Sequence, residues 1–280
     1  MRALVVYNPE SRRGAEAIAQ LPAMLAAAGI EAVRASKEAL RAVTPQADCV
    51  IGAGGDGTLS RLIPTALRWN VPLGVVPFGT FNELARTLNV PLDPAQACLL
   101  IASAHTRPID VARVNGIYYF SEASIGVSSR IARLQTPAGK RRFGSLAIVL
   151  TTLQSLRYVR PMRVAVSFDG HSEHLKTIQL TVANSGRFGG FFNVAGAAID
   201  DGWLDLYSVE IDTALEAIGV AGAMLRGRRA DAPGLRTYRS TRFVVSSRRR
   251  HHIRADGEPA GRTPATFEVL PKALRVFAPD

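Results

Sequence analysis

CVIGAGGDGTLSRLI, residues 49–63, is the stretch whose reading decides the fold. Its first residues are apolar and read as a buried strand. Gly54, Gly55, Asp56, Gly57 and Thr58 then form a turn, after which Leu59, Leu62, Ile63, Ala66 and Leu67 recur at helical spacing. A strand that ends in glycines and opens a helix is built to meet an anion. Glycines let the backbone approach closely, the helix start presents free N–H groups, and Thr58 adds a hydroxyl. Asp56 is the odd member, because a carboxylate repels phosphates unless a cation lies between them, so its presence points to Mg²⁺. For a single such turn the alternative is a glycine-rich bend with Asp56 as a helix cap.

Working outward, the same strand, turn and helix order recurs. ALVVY (3–7) is a short apolar run followed by the polar turn NPESRRG and an Ala-rich helix to about residue 28. VPLGVVP (71–77) is another strand, with NELARTL as its helix. Strands alternating with helices predict a parallel sheet, and ligands then belong at the carboxyl ends of its strands. Asn8, Ser11 and Gly14 follow the first of these strands, and Gly79, Thr80 and Asn82 follow the last. Small hydrogen-bonding residues thus line one edge.

From about residue 110 the pattern changes to apolar and polar alternation around tight turns such as Asp169-Gly170, which predicts a mostly antiparallel second domain. Two helical patches interrupt it, near 141–156 and 213–226. With no repeat or Pro-rich linker, the expected organisation is an α/β domain over 1–110 and a β-rich domain over 111–280, with a cleft between them.

Composition narrows the partners. The chain has 280 residues, 47% of them hydrophobic, enough for real cores. Its formal charge of +11 favours an anionic partner: a nucleotide, a nucleic acid or an acidic membrane surface. A merely basic, soluble surface is the plain alternative. Cys49 and Cys98 each sit in an apolar run, so they read as buried reduced thiols in a cytosolic setting. No apolar run approaches the roughly 18 residues a membrane span needs, which leaves contact with a membrane from the side.

NPESRRG, GGDGTLSR and PFGTFNELAR, in this order, resemble the nucleotide-binding lobe of the diacylglycerol kinase-type lipid kinases, a superfamily that includes bacterial lipid kinases and sphingosine kinases. IDVARVNGIYYFSEASIGVSS, NSGRFGGFFNVAGAAIDDGWLDLYSV and ADGEPAGRTPATFEVLPKALRVFAP resemble that family's second, β-sandwich domain. The likeness implies an ATP-dependent kinase acting on a lipid hydroxyl, with ATP and Mg²⁺ as cofactors. It implies that Asn8, Ser11, Gly14, Ser36, Gly54 to Thr58, Thr80 and Asn82 form the nucleotide edge. Asp56, Glu83 and Asp110 would surround the catalytic magnesium through water. Asp201 of IDDG matches a structural metal site, and Asp256 and Glu258 of DGE match the region of the catalytic base.

The partner so implied is a lipid presented at a membrane surface, met by a cytoplasmic protein at the inner membrane face, with no specific nucleic acid and with a homodimer allowed. SIGVSSRIARL and FGSLAIVLTTLQSL are candidate apolar grooves, and KRRF and RGRR are candidate contacts to anionic headgroups. Against the family pattern, Arg12 and Arg13 lengthen the first loop, Glu83 stands for an aspartate, Glu122 stands where asparagine is common, and GGFFN lacks a third glycine. GGDGT is shared with NAD kinases and phosphofructokinases, so a soluble-substrate kinase of the NAD kinase type and a non-catalytic nucleotide-binding protein are the competing readings. His251 and His252 are adjacent in a strand, point to opposite faces, and receive no ligand role.

Overall fold

The computed structural model describes residues 1–7, 14–126, 161–188, 192–193, 197–211 and 234–279. The chain forms two compact units, Met1–Val111 with Leu270–Asp280, and Ala112–Val269.

In the first unit, β1 (Arg2–Tyr7), β2 (Glu31–Arg34), β3 (Cys49–Gly54) and β4 (Leu73–Pro77) pair in parallel in the order β2-β1-β3-β4. Helices α1 (Gly14–Ala27), α2 (Lys37–Arg41), α3 (Asp56–Ser60), α4 (Ile63–Trp69), α5 (Glu83–Thr87) and α6 (Pro94–Ala102) connect them or follow them. β3 and β4 are buried along their whole length, including Cys49, Val50, Ile51, Leu73, Val75 and Val76, as strands covered on both faces must be. Cys98 of α6 is also buried, and both thiols are free. Burial pushes the Cys49 thiol up to about 12 and the Cys98 thiol to about 11, so neither is a thiolate near neutral pH.

The helix expected after the glycine turn is two short ones. Pro64 occupies the first turn of α4, and a proline there cannot donate to the carbonyl four residues earlier, so α3 stops at Ser60 and α4 restarts at Ile63. α4 is tied to the end of α2. The Thr65 hydroxyl donates to Leu40 O at 3.1 Å, the Trp69 indole N–H to Ala42 O at 2.8 Å and the Arg68 guanidinium to Arg41 O at 3.0 Å. These satisfy carbonyls that a five-residue helix leaves open.

In the second unit, β14 (Leu235–Ser240), β13 (Leu204–Val209), β10 (Gln179–Ala183), β7 (Glu122–Gly126), β16 (His252–Ala255) and β17 (Glu258–Arg262) form an antiparallel sheet in that order. A second antiparallel set comprises β9 (His171–Thr177), β8 (Met162–Phe168), β15 (Arg242–Ser246) and the first residues of β18 (Ala265–Phe277). β5 (Thr106–Val114) and β6 (Ile117–Tyr119) make a hairpin, and β11 (Arg187–Phe188) pairs with β12 (Phe192–Asn193). Ala123, Ile125, Leu180, Val182, Leu206 and Ile253 from the first sheet meet Val164, Val166, Leu175, Phe243, Val245 and Phe267 from the second in one apolar core. Alternate residues of each strand face inward, the mark of a sandwich. The parallel sheet and the antiparallel sandwich predicted from sequence are both present. The last residues of β18 instead pair with β4 in the first unit, Val276 opposite Leu73.

The helical patches at 141–156 and 213–226 lie outside the described residues, as do KRRF, RGRR, FGSLAIVLTTLQSL and all of SIGVSSRIARL beyond Gly126.

Candidate functional site

The parallel register sets Tyr7 beside Ala53, Arg34 beside Val5 and Pro77 beside Gly54, so the segments after β1, β2, β3 and β4 leave from the same edge. Asn8, Ser11, Arg12 and Arg13 lie outside the described residues, and Gly14 opens α1. Ser36 caps α2, its hydroxyl oxygen accepting the Ala39 N–H at 3.0 Å, with the side chain exposed.

The glycine turns after β3 and β4 meet through their backbones. The Phe78 N–H donates to Gly54 O at 3.0 Å. A Cβ added to Gly79 would stand 2.4 Å from the Gly55 Cα, and one added to Gly55 would stand 3.2 Å from the Gly79 Cα. Asn82, in the left-handed region at φ 50°, folds its amide over this turn: its Oδ1 accepts the Gly79 N–H at 2.9 Å and its Nδ2 donates to Gly79 O at 3.3 Å. Thr58 is nearly buried, its hydroxyl against Gly54, and the Thr58 N–H donates to Gly55 O at 2.9 Å. Gly57 is half-buried and Thr80 exposed at the same edge. Asn82 and Thr58 therefore shape the loops, and Thr80 is the exposed hydroxyl beside them.

Asp56 bridges the two turns. Its Oδ1 accepts the Leu84 N–H at 3.1 Å, linking the start of α3 to the start of α5, and the Glu83 N–H also reaches it. Burial raises its carboxyl above the usual range, partly offset by these N–H donors. A crowded carboxylate supported only by backbone donors suits a cation. Glu83 begins α5, half-buried. Asp110 on β5 is fully buried and its Oδ1 accepts the Lys272 N–H at 2.7 Å. Among the described residues no three His, Cys, Asp or Glu side chains gather into a direct coordination shell.

In the second unit Asp256 and Gly257 form the β16–β17 turn, both with positive φ (45° and 79°), the same local geometry as Asp169-Gly170 at 46° and 77°. The two turns differ in what the aspartate holds. Asp169 accepts one hydroxyl, from Ser240 at 2.9 Å. Asp256 accepts three backbone N–H groups: Phe120 on Oδ2 at 2.7 Å, and Ser121 and Glu122 on Oδ1 at 2.9 and 3.2 Å. Glu258 follows on the edge strand β17. Sequence reading placed weight on Asp256 and Glu258 and noted Glu122 only as a departure. Burial, and next the Asp256 charge, push the Glu122 carboxyl up to about 7. The Tyr119 hydroxyl, fully buried and without a hydrogen-bond partner among the described residues, feels both carboxylates.

Asp201 carries an arginine. Its Oδ2 pairs with the Arg239 guanidinium and accepts the Ala198 N–H at 3.1 Å, while its Oδ1 accepts the Trp203 N–H at 3.0 Å. Arg239 Nε also lies 3.5 Å from Asp205. A metal ion at Asp201 would have to displace that guanidinium, so this donor set fits the arginine better than a cation.

Comparison with known proteins divides at the same place as the secondary structure. Residues 2–114 match the diacylglycerol kinase catalytic domain, and residues 121–278 match the YegS C-terminal NAD kinase beta sandwich-like domain. The chain is 30% identical to the diacylglycerol kinase of Bacillus subtilis strain 168, over 99% of this chain and 96% of that one. It is 29% identical to the diacylglycerol kinase of Staphylococcus aureus strain bovine RF122 / ET3-1, over 100% and 93%. The fold is similar to that of a putative diacylglycerol kinase from Bacillus anthracis str. Sterne, at a TM-score of 0.80 and 23% identity over 99% of this chain and 95% of that one. It is also similar to an NAD kinase from Archaeoglobus fulgidus in complex with ATP, at a TM-score of 0.56 and 14% identity over 99% and 93%.

Proposed function

The chain belongs to the diacylglycerol kinase family, and we propose on that premise that it transfers the γ-phosphoryl group of ATP to a hydroxyl of a lipid such as diacylglycerol. The observation that carries this reading is Asp56, a crowded carboxylate between two glycine turns locked backbone to backbone at the carboxyl edge of a parallel sheet. That is where an α/β sheet takes its ligand, and the turns are shaped for phosphate rather than for an apolar group.

Phosphoryl transfer asks a protein mainly for positioning and for neutralising charge. The N–H groups around Gly55 and Gly57, with Thr80, would receive the phosphates, and Ser36 would lie beside the nucleotide at the end of β2. Asp56, with Glu83 and Asp110 through water, would hold Mg²⁺, which supplies charge neutralisation for the departing phosphate. The lipid would be met at a membrane surface from the side, since no helix among the described residues is long and apolar enough to cross a bilayer.

The test is transfer of label from γ-labelled ATP to diacylglycerol in mixed phospholipid vesicles, with NAD as the rival acceptor. Labelled phosphatidic acid supports the reading. Labelled NADP with no labelled lipid overturns it.

A further inference from the structure

A run of uncompensated charge lies in the second unit, at the turn between β15 and β16. Arg248, Arg249 and Arg250 follow one another there, all exposed, and Arg262 is exposed on the neighbouring strand β17, opposite His252. None of the four makes an ion pair among the described residues. Glu268, on the strand that follows, is taken by Arg113 and Arg242. On a loose loop such a run would be a solvated face and nothing more, but this turn is held at both ends. The Ser247 hydroxyl donates to Arg249 O at 2.7 Å, and its Oγ lies 2.8 Å from Thr263 Oγ1. The His251 N–H donates to the same Thr263 Oγ1 at 2.9 Å, and the Thr263 N–H donates back to His251 O at 2.9 Å. Thr263 is itself buried, so the backbone that carries the three arginines is clamped to the sandwich.

The tip of the β5–β6 hairpin is tied to the same strip of chain. Asn115 Nδ2 donates to Arg262 O at 3.4 Å and to Pro264 O at 3.5 Å. The Asn115 N–H donates to Thr266 O at 3.2 Å, and its Oδ1 accepts the Thr266 N–H at 3.1 Å. Gly116 then turns the chain at φ 86°, and Ile117 follows, 46% exposed. One exposed isoleucine is ordinary on any protein surface. Here the isoleucine tip and the arginine turn are both anchored on residues 262–266, so an apolar side chain stands beside a fixed cluster of positive charge.

We propose that Ile117, Arg248, Arg249, Arg250 and Arg262 form a surface by which this unit rests on a membrane rich in anionic phospholipid. The proposal deepens the lipid-kinase reading, on which it rests for its purpose: it names the residues that bring the chain to the membrane holding its substrate. Guanidinium forks match phosphate oxygens in geometry as well as charge. Each basic residue near an anionic leaflet strengthens the partition about fivefold, and a clamped backbone lowers the cost of ordering several at once. Nucleic acid would also attract four arginines. It offers the isoleucine nothing, whereas the boundary between headgroups and acyl chains receives both kinds of side chain.

The experiment is co-sedimentation of the whole protein, without ATP, with vesicles of phosphatidylcholine alone or mixed with phosphatidylglycerol. Wild type should sediment with the mixed vesicles and be released as salt rises. The triple change Arg248→Ser, Arg249→Ser and Arg250→Ser should weaken that partition about a hundredfold, and lysine at the same three positions should keep most of it. Ile117→Ser should weaken it about tenfold with the charge unchanged. Circular dichroism confirms that each variant is folded. Equal sedimentation of wild type and the triple serine variant, equal binding to neutral and mixed vesicles, or retention of an RNA duplex by these arginines in preference to mixed vesicles would overturn the proposal. Label transfer from γ-labelled ATP to diacylglycerol dispersed in detergent is read separately. A wild type that binds the mixed vesicles through these residues but labels no lipid would overturn the kinase reading and leave the surface standing.

Discussion

Gly79 stands so close to Gly55 that a Cβ on Gly79 would lie 2.4 Å from the Gly55 Cα, and 2.7 Å from Asn82 Oδ1. Two loops that follow different strands therefore share one position, and neither accepts a side chain at the contact. Gly79→Ala should force the turns apart, costing about 1–3 kcal/mol of stability by overpacking. ATP affinity should fall with it, read by denaturant unfolding and by calorimetric titration. Thr80→Ala, one residue on and exposed, should leave the unfolding curve unchanged.

Asp56→Asn keeps the shape and the hydrogen bond to the Leu84 N–H but removes a charge. If Asp56 helps to place the cation, turnover should fall by about 3 kcal/mol or more in transition-state stabilisation, while thermal stability holds or rises. Activity close to wild type would remove Asp56 from the mechanism.

The parallel sheet and the sandwich were legible because their signals are local. Glycines after buried apolar runs, and alternation around Asp-Gly turns, need only a short window to be read. The break after Ser60 was also present in the sequence, in Pro64, but the apolar spacing from Leu59 to Leu67 masks it. What sequence could not give is long-range. The return of Leu270–Asp280 to the first unit, the arginine on Asp201 and the three N–H groups on Asp256 join residues far apart in the chain. Asp169-Gly170 and Asp256-Gly257 look alike in sequence and in backbone angles, and differ only in what their carboxylates receive. Glu122 was visible only as an unexpected acid where the family favours an amide.

At Asp201 the guanidinium of Arg239 does the work of a cation. Arg239→Ala leaves Asp201 and Asp205 facing each other without it, and the loss should be about 1 kcal/mol, modest because the pair is partly exposed. Chelators should not shift the melting temperature of the wild-type protein. In Arg239→Ala, added Ca²⁺ or Mg²⁺ should recover part of the loss. A chelator-sensitive wild type would show that a metal shares the site.

Glu122 also gives stability a pH dependence of definite sign. Its carboxyl is raised from 4.5 to about 7 in the folded chain, so the folded state binds this proton more tightly than the unfolded state does. Below about 4.5 both states are protonated and nothing is lost. As pH rises from there toward 7 the unfolded chain ionises first, and stability falls by on the order of 3 kcal/mol, then levels off. Melting temperatures across this window should decline for wild type relative to Glu122→Gln, in which that slope disappears. Parallel curves would show that the carboxyl titrates as an ordinary surface group.

The most direct measurement of the central claim is one reaction containing γ-labelled ATP, the purified protein and vesicles of a total lipid extract, followed by phase separation and mass identification of the labelled product. A diacylglycerol kinase-type lipid kinase with its phosphate edge at Asp56 should place the label in the organic phase, on a phosphorylated lipid alcohol, and Asp56→Asn in a parallel tube should abolish it. Label confined to the aqueous phase on a soluble acceptor, or organic-phase label undiminished by Asp56→Asn, would contradict the account.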